Sequence, residues 1–223
     1  SGSTRLDIIL TPLVTILVGY FAAESVGVLI HQGMIAFGDV INWSVERQPF
    51  LMGILVATLM GFALTAPISS AAIAIMLGLD GLAAGAATVG CSAQMVGFAV
   101  SSFKENGVGG LLAQGLGTSM LQIANIIKNP MILIPPTAAG ILLAPLSTMV
   151  FMMENSPEGA GMGTSGFVGQ ILTLTSMGFT AENLLSIGIL HLAGPALISL
   201  VVSSWMRRKG WIRSGDMFLK TGK

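Results

Sequence analysis

Carboxylates and hydroxyls lie close together in FMMENSPEGAGMGTSG, residues 151–166. Glu154-Asn155 closes an apolar run, and Thr164-Ser165 opens the next segment. A carboxylate and an amide at a helix end, with hydroxyls beside free helix N–H groups, suit a polyol or an anion. The plainer alternative is a connecting loop in which Thr164 and Ser165 cap the next helix. Neither has Glu or Gln three residues on, so this is no capping box. A second polar set is Gln114, Thr118, Gln122 and Asn125. The last three follow i, i+4, i+7 and share one helical face, with Gln114 one turn earlier. Neutral amides and hydroxyls match sugar hydroxyls, which both donate and accept. They match hydrogen bonding between helices equally well. Glu154, Asn155, Thr164, Ser165, Gln114, Thr118, Gln122 and Asn125 are the candidate solute-binding residues.

Other ionisable groups fall near apolar runs: Glu24, His31, Asp80, Lys128, Glu158 and His191. Charges at membrane depth are costly and point to function. Asp80 and Lys128 lie between runs and are expected at loops or interfaces, as is Glu158 after Pro157. His191 is expected to be buried and hydrogen-bonded. The sequence holds no H-E-x-x-H, G-x-S-x-G or P-loop, and its histidines stand far apart. No catalytic residues, metal site or cofactor are expected, and the chain does not read as an enzyme in itself. The one cysteine, Cys91, sits between Gly90 and Ser92 and reads as a small packing residue.

The elements that must position these groups are membrane helices. Of 223 residues, 53% are hydrophobic and only 9% charged, with zero net charge and mean hydropathy +0.84. Soluble domains carry about 25% charged residues. The composition therefore predicts an all-α polytopic membrane protein, with about six to eight membrane segments of about 20 residues each. The zero net charge gives no argument for a nucleic-acid partner. Apolar runs cover Ile8–Ile41, Gln48–Leu79, Gly81–Phe103, Val108–Ile127, Met131–Met153, the short polar Gly163–Phe179, and Asn183–Met206. The first reads as one spanning helix plus an interfacial piece. Interruptions near Pro67, Gly107–Gly117, Asn129–Pro136 and Asn155–Gly163 predict broken or re-entrant helices. Such backbone is tolerated only against protein or a water-filled cavity. The small residues of 81–90, beginning Gly81-x-x-x-Gly85, predict close helix packing.

The middle of the chain, TAPISSAAIAIMLGLDGLAAGAATVGCSAQMVGFAVSSFKENGVGGLLAQGLGTSMLQIANIIKNPMILIPP, and ILLAPLSTMVFMMENSPEGAGMGTSGFVGQ after it resemble the membrane (EIIC) subunits of the bacterial phosphotransferase system. The likeness extends to a divergent branch that includes regulators of a perfringolysin-type toxin. The resemblance runs from about Ile8 to Arg208. It implies a homodimeric, all-helical inner-membrane protein with re-entrant hairpins. It also implies a sugar moved by an elevator-like motion and cytoplasmic EIIA- and EIIB-type partners. Sugar-transporting members of the lactose and cellobiose type carry an Asn-Glu-Pro-Ile motif ahead of an Asn-Pro. Counting back from Asn129-Pro130 reaches Gly117-Thr118-Ser119, without a glutamate. Where those members carry a histidine, this chain reads ALTAPISS, residues 63–70. Glu154 is the candidate replacement carboxylate.

Residues 1–3 read as a tag remnant, 4–206 as the membrane domain, and 207–223 as a basic cytoplasmic tail. That tail has Arg207, Arg208, Lys209, Arg213, Lys220 and Lys223 against Asp216, and it reads as a topology anchor. The expected function is a permease component for a sugar or related small polar solute. The alternatives are a non-transporting membrane sensor on the same fold, or a protein that binds lipid or another amphiphile.

Overall fold

Apolar sequence cut by Gly and Pro must form helices that start and stop within the membrane. The computed structural model describes residues 7–219, and the side chains of all of these except 7–10 and 22–30. Glu24 therefore lies outside the described side chains, and Lys220 and Lys223 outside the described residues. The regular elements among the described residues are helical, and one isolated bridge joins Gly81 to Asn155.

Helix α1 (Asp7–Arg47) is unbroken. The expected division of Ile8–Ile41 is absent: the helix runs through Pro12, which lies inside it near its start and removes one N–H from the ladder there. The outer half exposes Leu13, Ile16, Val18 and Phe21. The inner half packs Met34, Ile41 and Val45 against the core.

Helix α2 (Pro49–Thr65) ends where Ala66 turns extended ahead of Pro67. Ser69 then caps α3 (Ser70–Leu77), accepting from the Ala72 N–H, and Gly78 ends it in the left-handed conformation. Helix α4 (Gly81–Ser101) follows. Ala57 and Gly61 of α2 lie against Gly90, and Thr65 reaches Gln94. Helix α2 thus stops deep alongside α4. Helix α3 leads back to the first turn of α4, where Asn42 bonds the Gly78 carbonyl at 2.8 Å. The segment 49–77 is a re-entrant hairpin.

A second hairpin enters from the other end of α4. Helix α5 (Phe103–Leu112) widens through 113–117 and breaks at the extended Thr118. Residues 119–122 and α6 (Ile123–Lys128) return. The chain then recrosses antiparallel to α4 through α7 (Ile134–Pro145), whose flanking turns extend the apolar stretch over Pro130–Val150. A third hairpin starts from the Gly81 end. It comprises α8 (Pro157–Ala160), the turn 161–167 and α9 (Val168–Met177). Its tip sets Gly163 against Cys91, and its end returns Met177 to Glu154. Gly163–Phe179, short and polar for a span, is thus the tip and returning arm of a hairpin. Finally α10 (Ala181–Ile187) runs through a wide turn at 188–193 into α11 (Gly194–Arg208). Pro195 supplies no N–H there, which favours the widened turn. Gly81–Ser101, Pro130–Val150 and Ala181–Arg208 are long and apolar enough to cross a membrane.

Helix α4 is buried along almost its whole length. Its small residues make this possible. A Cβ at Gly85 would strike the Met153 carbonyl, one at Gly90 the Ala57 carbonyl, and one at Gly97 the Pro136 side chain. Cys91 is buried there with its Sγ on the Met60 carbonyl, the packing role its neighbours implied. Gly90→Val should therefore push α2 off α4, lowering stability by about 1–3 kcal/mol as overpacking does. Thermal unfolding in detergent measures it, and an unchanged midpoint would mean that the helices are not so close.

Candidate functional site

The three hairpin tips meet. Thr65 Oγ1 of the first lies 2.9 Å from Ser119 Oγ of the second. Ser70 Oγ of the first donates to the Gly161 carbonyl of the third at 2.7 Å. Thr164 Oγ1 of the third donates to the Gly115 carbonyl of the second at 2.6 Å. Each pair of tips is thus tied by a side-chain hydrogen bond. Between them lies a cavity of about 180 Å³, bordered by Leu64, Ser69, Ser70, Gly117, Thr118 and Ser165, among others. The third tip is tightly constrained. Gly163 has φ +53° and its missing Cβ faces the Cys91 backbone, so both conformation and space exclude a side chain. Phe167 also sits in the left-handed region at φ 58°, an arrangement that its surroundings must enforce.

The cavity lining offers hydroxyls and apolar surface and no ionisable side chain. Ser69 and Thr118 accept from the Ala72 and Met120 N–H groups, leaving their hydroxyl protons to donate. Half-buried Ser165 has no partner for its Oγ among the described residues. Such a lining can hold a neutral hydroxylated molecule by donor–acceptor pairs.

The structure divides the candidate residues among different tasks. Thr118 and Ser165 reach this cavity. Thr164 is buried behind it and caps no helix, because its hydroxyl is used on Gly115. Asn155 is 1% exposed. Its amide donates to Thr88 Oγ1 at 2.7 Å and the Gly169 carbonyl at 3.1 Å, and its carbonyl accepts from the Ser156 N–H. It fastens the third hairpin to α4. Glu154 is exposed beside the first turn of α4 and does not border the cavity. Ser69 and Ser70 were missed by reading residue types alone. Their only signal was the Pro-Ile-Ser-Ser break.

Gln114, Gln122 and Asn125 come together elsewhere, as a ladder on the second hairpin. Gln114 donates to Ser102 Oγ at 2.8 Å and accepts from Gln122 Nε2 at 2.8 Å. Gln122 Oε1 accepts from Asn125 Nδ2 at 2.7 Å. Gln114 also donates to the Gly110 carbonyl, while the amides of Gln122 and Asn125 also donate to the C-terminal tail, Gln122 to the Met217 carbonyl and Asn125 to that of Phe218. Asn129 continues the pattern onto Trp211 and Asp216. The tail is thus more than a topology anchor. Ile212 and Met217 bury themselves against Phe98, Ile132 and Met206. Glu105 accepts from Arg207 at 2.9 Å and from the Gly215 and Met217 N–H groups.

His191 is buried, as expected, with Nδ1 3.2 Å from Gln170 Nε2, which also reaches Ser92. Its Nε2 and Gln170 Oε1 have no partner among the described residues. Asp80, Lys128 and Glu158 are exposed at helix ends.

A family model described as "Phosphotransferase system, EIIC" matches residues 1–219. Searches of curated proteins and of solved structures find no match.

Glu105 is the hub that holds the tail, so Glu105→Ala leaves the Gly215 and Met217 N–H groups unpaired and Arg207 without its carboxylate, held only by the Ser101 and Arg213 carbonyls and the Met217 sulfur. Hydrogen bonds to a charged group are worth about 1.5–3 kcal/mol. The variant should lose about that much stability and expose the 209–219 segment to protease. Wild-type resistance in the variant would contradict the lock.

Proposed function

The chain belongs to the phosphotransferase system EIIC family, and from this premise we propose that it is a membrane permease component. It binds a sugar or related small polar solute in the cavity between the three hairpin tips. The observation that carries this reading is the convergence of those tips, from opposite ends of α4, on one hydroxyl-lined space. Hairpins broken at mid-membrane are how transporters build sites for polar cargo. The two places where the family resemblance looks for an imidazole and a carboxylate, residues 63–70 and 117–119, both border this cavity. Here they supply Ser69, Ser70 and Thr118.

Lys104, Arg207, Arg208, Lys209 and Arg213 gather at the Ser101 end of α4. The positive-inside rule makes that end cytoplasmic, in the inner membrane of a bacterium. EIIA- and EIIB-type partners would act from that face, and a homodimer is the expected assembly. The lining also favours a second reading, a sensor that kept the fold. With no ionisable side chain at the cavity, no general base stands ready to activate a sugar hydroxyl for phosphorylation.

Binding of a panel of sugars, polyols and sugar phosphates to the purified protein tests the first reading. One class should bind. Ser165→Ala should weaken it about tenfold, the value of one lost hydrogen bond, while Glu154→Gln leaves it unchanged. No binding across the panel, with altered transcripts but normal uptake in a deletion strain, would favour the sensor.

A further inference from the structure

A second concave site lies at the Ser101 end of α4, apart from the solute cavity. It is a groove of about 320 Å³ between the ends of α4 and α11 and the start of α5. Val100, Phe103, Leu111 and Leu200 form apolar walls, with Ser203 and Ser204 between them. Lys104 and Arg207 also line it, and both border an adjoining cavity of about 460 Å³ with Arg213 and Ser214. The acid in this second cavity, Glu105, is 6% exposed in its side chain and already accepts from Arg207 and two backbone N–H groups. The ammonium of Lys104 and the guanidinium of Arg213 have no polar partner among the described residues. An apolar groove thus adjoins a pocket with three cations, Lys104, Arg207 and Arg213, against Glu105 within it and Asp216 beside it, whose carboxylate accepts from the Arg213 backbone N–H at 2.7 Å.

Its position in the membrane fits one occupant. Two crossing stretches, Gly81–Ser101 and Ala181–Arg208, end here. The groove therefore lies at acyl-chain depth and the cations at headgroup depth. We propose that this groove binds an anionic phospholipid, acyl chain between Leu111 and Leu200 and phosphate between Lys104 and Arg213. A cationic interfacial pocket gains from an anionic headgroup, roughly fivefold in binding for each Lys or Arg. A zwitterionic headgroup, with its own ammonium, gains little.

Native mass spectrometry of the purified full chain, titrated with phosphatidylglycerol and phosphatidylcholine, tests this. The wild type should retain phosphatidylglycerol preferentially. The double variant Lys104→Ala, Arg213→Ala should lose that preference by ~25-fold, two cations at about fivefold each. Because neither side chain holds the fold together, its unfolding midpoint should match wild type. Ser204→Trp, which fills the groove and keeps every cation, should also lose the lipid. Arg208→Ala, outside both cavities, should not. Equal retention of the two lipids, or undiminished phosphatidylglycerol in either the double variant or Ser204→Trp, would overturn the proposal. So would displacement of the lipid by inorganic phosphate at equal concentration, since the groove would then add nothing. None of these outcomes depends on the solute cavity.

Discussion

A helix that stops inside a membrane leaves N–H and C=O groups with no water to receive them, and every irregular feature of this chain follows from meeting that need internally. The three hairpins stop at mid-depth, and each tip borrows partners from another tip or from α4. Thr164 serves Gly115, Ser70 serves Gly161, and Thr65 of the first tip reaches Gln94 of α4 and Ser119 of the second tip. This works only if the tips can come close. Helix α4 supplies that closeness by presenting Gly85, Gly90 and Gly97 where other helices would need a Cβ's worth of room. Its small residues are a packing device, and the cavity is the space left where three satisfied tips meet.

The same need explains why the amides divide as they do. Gln114, Gln122 and Asn125 lie on a hairpin that returns to its own end of the membrane, where the folded-back tail offers free carbonyls at Met217 and Phe218. The tail is held in turn by Glu105, Arg207 and a small apolar cluster around Met206. A stripe that could grip a solute is thus used to bind the protein's own chain. The hydroxyls of Ser69, Thr118 and Ser165 are left to line the cavity. A neutral lining there also avoids the cost of burying an ion.

Much of this was legible in residue types. Composition identified the class, Gly and Pro marked the hairpin tips, and the i, i+4 spacing of Thr118 and Gln122 placed them on one segment. What spacing could not supply was partnership. Thr118 breaks the helix, so it parts from Gln122 and faces the cavity. Asn155 and Glu154 are neighbours in sequence, yet one is buried and fully bonded while the other is exposed. The tail's basic residues suggested an anchor. Nothing in their charge revealed that Ile212 and Met217, between and beyond them, would pack into the core. Contacts across a hundred residues leave no local signature.

In the proposed permease, water and solute reach mid-membrane where the three tips meet. Ser165 and Cys91 make a matched pair for testing it. Both lie beside the third tip, but Cys91 is fully buried and Ser165 borders the cavity. A water-soluble maleimide applied to Ser165→Cys in lipid nanodiscs should label the new thiol and spare Cys91. Failure to label it, with the fold intact, would mean that the tips enclose no accessible site.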